Sequence, residues 1–387
     1  MLAAAFHGAT AVNGVYSVLY VGKLLVTRRY TVLTARGMRL ATGQTLCLRN
    51  VPHQNAKCSF AMTLLALDIG GANLKAANGA GFAVTRPFPL WQRPAELVDA
   101  LTSLLAAAPR ANKLVVTMTG ELADCFETKA EGVNHILIAT EQAARGSEVL
   151  VYLVDGSIVT VETARRQPLL AAASNWHALA RFAGRYCTAN TGLLIDVGST
   201  TTDLIALIHG LPAASGVNDT ERLASGELVY TGVERSPVCA VVDALPWRNR
   251  QVPVAQELFA TTRDAYLLLG DLPENASDRQ TADGRPATRA AGRDRLARMI
   301  CADRDSFSAD DASAAAAAVA RAQLSKLGIA ARGVLRRLPE PPATVVLCGQ
   351  GEFVAQRLCE RLQLASSIVS LAEQLGSSVS RAAPAHA

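Results

Sequence analysis

The chain has 387 residues, half of them hydrophobic and 18% charged, which is ample for two globular lobes with cores of their own. Its formal net charge of +5 is unevenly placed: residues 1–61 hold seven Lys or Arg and no Asp or Glu, leaving 31 basic against 33 acidic residues elsewhere. The body of the protein therefore carries no basic footprint for nucleic acid, and eight singly spaced cysteines, with no Cys-x-x-Cys pair and no His-Glu-x-x-His, argue against zinc and a disulfide framework.

The acid-free stretch 1–61 shows no clean periodicity. Its opening run lacks a basic start and is interrupted by His7, Gly8, Thr10, Asn13 and Gly14, which argues against a signal peptide or a membrane span; an acid-free, Arg-containing leader also suits a transit peptide. We expect 1–61 to be a disordered or non-native extension, with Met62 the natural start and a reducing cytoplasm the location.

The stretch from Leu64 to Lys75, LLALDIGGANLK, is an apolar strand that delivers Asp68 into a turn at Gly70 and Gly71. It is echoed 128 residues later by Gly192 to Asp203, GLLIDVGSTTTD. In each copy glycine permits a turn whose backbone N–H groups converge on a small space able to hold an anion. A carboxylate repels phosphate, so Asp68 and Asp196 suit Mg²⁺ or its water shell. Asn73 and Lys75 in the first copy, and Gly198, Ser199, Thr200 and Thr201 in the second, supply donors and a cation.

Between the copies the pattern predicts a hairpin returning over 79–85, a helix from Pro94 with Leu97, Leu101, Leu104 and Leu105 on one face, and a strand over 113–119. That strand empties into Glu121 and Asp124, candidates for a general base or a second metal contact. A helix over about 134–144, a strand over 148–154, another hairpin and an Ala-rich helix holding Asn175, Trp176 and His177 follow. After the second copy come a strand over 204–208, a turn at Gly210, a pair of strands around Tyr230 to Pro237 and a long loop over 272–295 of the kind that often binds ligand. A helix over 311–327, a linker over 339–342 and a strand from Val345 that breaks at Gly349 and Gly351 complete the body. The expected division is 62–190 and 191–376, with a frayed tail over 377–387.

The two Asp-containing turns and the later Gly-x-Gly turn resemble the phosphate loops of the actin, Hsp70 and sugar-kinase superfamily. That resemblance implies an α/β protein of two ribonuclease-H-like lobes with an interlobe cleft. Further stretches, Met118 to Asp124, Ala172 to Ala178, Thr231 to Pro237, Thr262 to Asp264 and Thr281 to Pro286, resemble the hydantoinase/oxoprolinase-related proteins of tetrahydromethanopterin-linked one-carbon metabolism. The resemblance runs over about 62–375 and omits the leader.

This family resemblance implies a transferase of methanofuran biosynthesis, joining a furanylmethyl diphosphate to γ-glutamyltyramine, with Mg²⁺ and no redox cofactor. Asp68 and Asp196 are then expected at the metal and Lys75, Glu121 and Asp124 at the chemistry. Gly70, Gly71, Asn73, Lys75, Gly198, Ser199, Thr200, Thr201, Arg235, Gly349 and Gly351 are expected around the diphosphate. Arg285 is a second candidate cation, Trp176 is expected in the core, and His135 and His177 are read as structural. The partners implied are small molecules, with neither nucleic acid nor membrane. The same loops also suit an ATP-dependent small-molecule kinase or an oxoprolinase-like hydrolase, and a non-catalytic actin-like protein is a third reading.

Overall fold

The computed structural model describes residues 16–21, 24–29, 63–188, 190–376, 379–380 and 382–387. It divides into two units, Met1–Phe60 and Ala61–Ala387. In the first, β1 (Tyr16–Val21) and β2 (Leu24–Arg29) pair antiparallel. The expectation for 1–61 otherwise lies outside the described residues.

The second unit is built on two sheets with one plan. The first holds β3 (Leu64–Gly70), β4 (Asn73–Ala77), β5 (Ala83–Pro87), β6 (Lys113–Thr119), β7 (Glu148–Tyr152) and β8 (Ile158–Thr160), in the order β5-β4-β3-β6-β7-β8. The other holds β9 (Thr191–Val197), β10 (Thr202–Ile208), β11 (Leu211–Pro212) and β12 (Leu228–Val229); after a separate hairpin of β13 (Ala244–Trp247) and β14 (Arg250–Pro253), β15 (Thr344–Cys348) and β16 (Ser367–Ser370) complete it. Its order is β11-β10-β9-β15-β16, with β12 also on β10.

In each sheet an antiparallel pair comes first, β3 with β4 and β9 with β10, and two strands then add in parallel beside the leading one. The chain is thus an α/β protein of two lobes whose sheets repeat one ribonuclease-H-like strand plan.

Apolar runs place the central strands between helices. Leu67, Ile69, Val116 and Met118 are fully buried with Leu97, Leu101, Val133 and Ile136. Leu193, Ile195, Val345 and Leu347 pack with Leu327, Ala331 and Val334 of the long helix Ala309–Leu335. Each such Leu, Ile or Val contributes roughly 1.5–3 kcal/mol, which holds rigid the strand ends that carry Asp68 and Asp196.

The pair of strands expected around Tyr230 to Pro237 is absent, the two-residue β12 leading instead into a loop, and three further differences from the sequence expectation have local causes. The helix expected near 134 starts at Lys129, because the Thr128 side chain caps it by accepting from the Glu131 N–H. The loop expected over 272–295 ends at Thr288, and Arg289–Arg298 is helical. That helix is buried through charge: Arg295 is fully buried and bonds Asp264 at 2.6 Å and Asp283 at 3.0 Å, so its apolar content understated its burial. Finally, Ala383–His386 is a short helix with Ala383 and Ala385 buried. No described helix is long and apolar enough to cross a membrane.

Candidate active site

Asp68 and Lys75 are cross-strand partners on β3 and β4, so their side chains emerge on one face. Lys75 Nζ donates to Asp68 Oδ2 at 3.1 Å, and Thr117 Oγ1 on β6 donates to Asp68 Oδ1 at 3.4 Å. Asp68 is 1% exposed. The second lobe repeats this register with Asp196 opposite Asp203. There the cation is Arg222, which bonds Asp203 and reaches Asp219 at 3.4 Å. Each loop carboxylate thus has a cross-strand neighbour, a cation in one lobe and a second acid in the other.

Lys75 and Asp196 face a polar cavity of about 730 Å³ between the lobes, together with Asn73, Gly198, Ser199 and Gly349. Burial pushes the Asp196 carboxyl up to about 7, Asp203 adding to the effect and Lys75 opposing it. Burial works against a charge on Lys75, yet Asp68 and then Asp196 hold its ammonium above the ordinary range. The cavity therefore presents a firmly protonated cation beside a reluctant carboxylate.

The remaining predicted glycines and hydroxyls shape the loops rather than the wall. Gly71 and Ala72 carbonyls accept from Leu90 and Phe88 N–H, fastening the first turn. Gly198 N–H donates to the Thr201 carbonyl at 2.8 Å, closing the second. The N–H groups of Val233, Glu234 and Arg235 donate to the carbonyls of Gly198 and Ser199, so the stretch from Thr231 to Pro237 braces this turn from behind. Gly351 packs on Val197, where a Cβ would lie 2.6 Å from Val197 Cγ1. Gly70, Gly71, Thr200, Thr201 and Gly351 are not on the cavity wall.

Arg235 also lies off the wall: its guanidinium sits 4.9 Å from the Trp91 ring centroid, joining the second lobe to the first. Arg285 is committed to Asp294 at 3.0 Å. Asp124 is exposed. Trp176 is core as expected, 4% exposed, with the Arg222 guanidinium 4.2 Å over its ring. His135 Nε2 meets the Pro94 carbonyl at 3.0 Å and His177 Nδ1 meets Tyr152 Oη at 2.8 Å.

Glu121 is 1% exposed and neither carboxylate oxygen has a hydrogen-bond partner. Burial pushes its carboxyl up to about 7, with Asp219 of the other lobe adding to the rise. A buried unpartnered acid of this kind is costly unless it has a task. It follows Gly120, whose N–H donates to the Ile69 carbonyl and where an added Cβ would lie 2.7 Å from Leu90 Cδ2 and 3.2 Å from the Gly70 carbonyl carbon. Glu121 is thus tucked behind the first turn.

Sequence reasoning missed much of the opposite wall: Glu234, Arg263, Asn275, Ser277, Asp278, Arg279, Gln280 and Gln350. Arg263 bonds Asp278 and the Gln280 carbonyl, and Gln350 bonds Glu234 at 3.0 Å. The signal available was the polar loop over 272–295, which named the segment without saying which lobe surface it meets.

The residues fit Mg²⁺ in a limited way. Among the described residues no group of three or more His, Cys, Asp and Glu forms a protein cage, and Asp68 already holds Lys75 and Thr117. Asp196 remains open to the cavity, and Mg²⁺ is commonly held by one or two carboxylates with substrate phosphates supplying the rest.

Fold and cavity together define a two-lobed α/β protein whose paired Asp-containing turns flank a polar cleft. A hydantoinase/oxoprolinase model matches residues 113–385. The chain is 32% identical over 333 residues, 84% of itself and 96% of the relative, to the (4-{4-[2-(gamma-L-glutamylamino)ethyl]phenoxymethyl}furan-2-yl)methanamine synthase of Methanocaldococcus jannaschii. It is 30% identical over 194 residues, 50% of itself and 86% of the relative, to the protein of the same name from Methanococcus vannielii. Among solved structures it aligns with nucleotide-free acetone carboxylase at 15% identity and a TM-score of 0.43, over 81% of this chain and 51% of that one. The protein belongs to the hydantoinase/oxoprolinase family.

Proposed function

We propose that the protein is a cytoplasmic transferase of methanofuran biosynthesis that joins a furanylmethyl diphosphate to γ-glutamyltyramine and releases diphosphate. The observation that carries this reading is the 32% identity along 96% of the M. jannaschii synthase. In the reaction the C–O bond between the furanyl CH₂ and diphosphate breaks, a C–O bond to the phenol oxygen forms, and the phenol proton leaves. The furan ring shares positive charge developing on the CH₂, so the protein's work is to hold the leaving group, exclude water and take the proton.

The diphosphate would lie in the polar cavity with Lys75, the backbone of Ser199 and Gly349, and Gly198 shaping the turn beneath it. Charge grows on it as the bond breaks, and donors fixed beforehand stabilise that charge most in the transition state. Asp68 acts through Lys75, whose ammonium it orients at 3.1 Å. A bound Mg²⁺, held by Asp196 and diphosphate oxygens, would neutralise further leaving-group charge. The phenol, near pKa ~10, gives up its proton to a base; Glu121, which burial sets at about 7, is our candidate, acting from behind the first turn and not from the wall of either cavity.

Thermal protection of the full chain tests the reading. Mg²⁺ with diphosphate should raise the melting temperature and Mg²⁺ with ATP should not, and the effect should vanish in Asp196→Asn. Protection by ATP alone would support an ATP-dependent kinase or hydrolase instead.

A further inference from the structure

A second cavity, of about 610 Å³, lies on the same face of the first sheet as the polar one. The register makes the relation explicit. Ala66 pairs with Ala77 and Val115, two residues along from the level at which Asp68 pairs with Lys75 and Thr117, and residues two apart share a face. Ala66, Ala77, Val115 and Thr117 line the second cavity; Lys75 lines the polar one. Thr117 donates to Asp68 and Lys75 donates to Asp68, so the two walls are two hydrogen bonds apart. The helix Ala383–His386 stands between them, and its Pro384 borders both.

The chemistry of this cavity differs from that of its neighbour. Its walls are aliphatic and aromatic apart from a few polar groups, among them the Tyr152 to His177 pair. No Asp or Glu side chain lines it, while Arg181 and Arg185 stand exposed beside it. Phe182 supports the Arg185 guanidinium at 5.0 Å from its ring centroid. Pockets of this size and character bury most of a drug-sized organic molecule, a few polar groups fixing its orientation.

We propose that this cavity binds the acceptor: an aryl group on the apolar walls with its reactive end toward Thr117, and a carboxylate at Arg181 and Arg185. The inference rests on the transferase reading above, under which the acceptor is γ-glutamyltyramine, a phenol joined through an ethyl amide to an amino-acid carboxylate.

The test is calorimetric titration of the full chain with γ-glutamyltyramine and with tyramine, which lacks the carboxylate. The double variant Arg181→Gln, Arg185→Gln should weaken γ-glutamyltyramine at least tenfold and leave tyramine unchanged; both arginines are exposed, so the fold tolerates the change. Ala178→Leu, which fills the wall, should weaken both ligands. Diphosphate protection should persist in every variant. No binding of γ-glutamyltyramine to the wild-type chain, or equal affinity in the arginine variant, overturns the assignment. The two readings fail separately: ether formation with an unchanged KM for γ-glutamyltyramine in the arginine variant removes the site and keeps the transferase. Arginine-dependent binding without ether formation by the wild-type chain keeps the site and removes the transferase.

Discussion

Lys75 Nζ lies 3.1 Å from Asp68 Oδ2 across the β3 and β4 ladder, with the carboxylate almost wholly buried and the ammonium at the cavity wall. The pair does two jobs, fold and chemistry, and they separate by mutation. Lys75→Met should destabilise the chain by about 3 kcal/mol, because a buried charge loses its partner. The double variant Asp68→Asn, Lys75→Met should recover most of that stability while activity stays at least a hundredfold down, as for a lost transition-state donor. Chemical denaturation beside steady-state kinetics checks both halves.

Glu121 makes stability and rate depend on pH in opposite senses. Its carboxyl titrates at about 7 in the folded chain against an ordinary 4.5, so the native state keeps a proton that the unfolded state has released. Stability therefore falls as pH rises from about 4.5 to about 7, then levels. Glu121→Gln should match the wild type near pH 4 and melt higher at pH 8, by on the order of 1–3 kcal/mol. Wild-type kcat/KM should rise through about pH 7, a rise that Asp196 keeps in Glu121→Gln because its carboxyl is also set at about 7, while the rate of that variant should fall about 10²-fold or more.

The glycines divide by what stands where a side chain would go. Gly349 has φ +90°, and a Cβ there would sit 2.4 Å from Asp196 Oδ1 and from the Val197 carbonyl. Gly349→Ala should lower the melting temperature and abolish protection by diphosphate. Gly71 has nothing within 4 Å of its Cβ position, so Gly71→Ala should change stability by no more than about 0.5 kcal/mol.

Arg235 separates bracing from phosphate binding. Its guanidinium stacks on Trp91 and lies off the cavity wall. Arg235→Ala should cost about 0.5–1 kcal/mol of stability and leave the diphosphate dissociation constant unchanged within twofold. A large loss of diphosphate affinity would return Arg235 to the phosphate site.

The two turns were legible because local chemistry dictates them: an apolar run must be a buried strand, and Asp-x-Gly at its end must turn. Lys75 was legible for the same reason, since alternation along β4 fixes its side relative to Asp68. Arg235 and Arg285 were not, because an arginine's destination depends on partners distant in sequence, Trp91 for one and Asp294 for the other. The wall from Asn275 to Gln280 was visible as a loop and invisible as a wall, since composition does not say which surface a loop meets. Glu121 was visible as an acid after a strand; its burial follows from packing around Gly120 and Gly132, where an added Cβ would strike the Glu121 backbone at 2.2 Å.

Incubation of the full chain with (5-aminomethyl-furan-3-yl)methyl diphosphate, γ-glutamyltyramine and Mg²⁺, without nucleotide, tests the central claim most directly. Mass spectrometry should find the aryl ether, with one diphosphate released for each ether formed and neither product in Asp196→Asn. Absence of the ether, with ATP hydrolysis stimulated by a small-molecule substrate instead, would contradict the account.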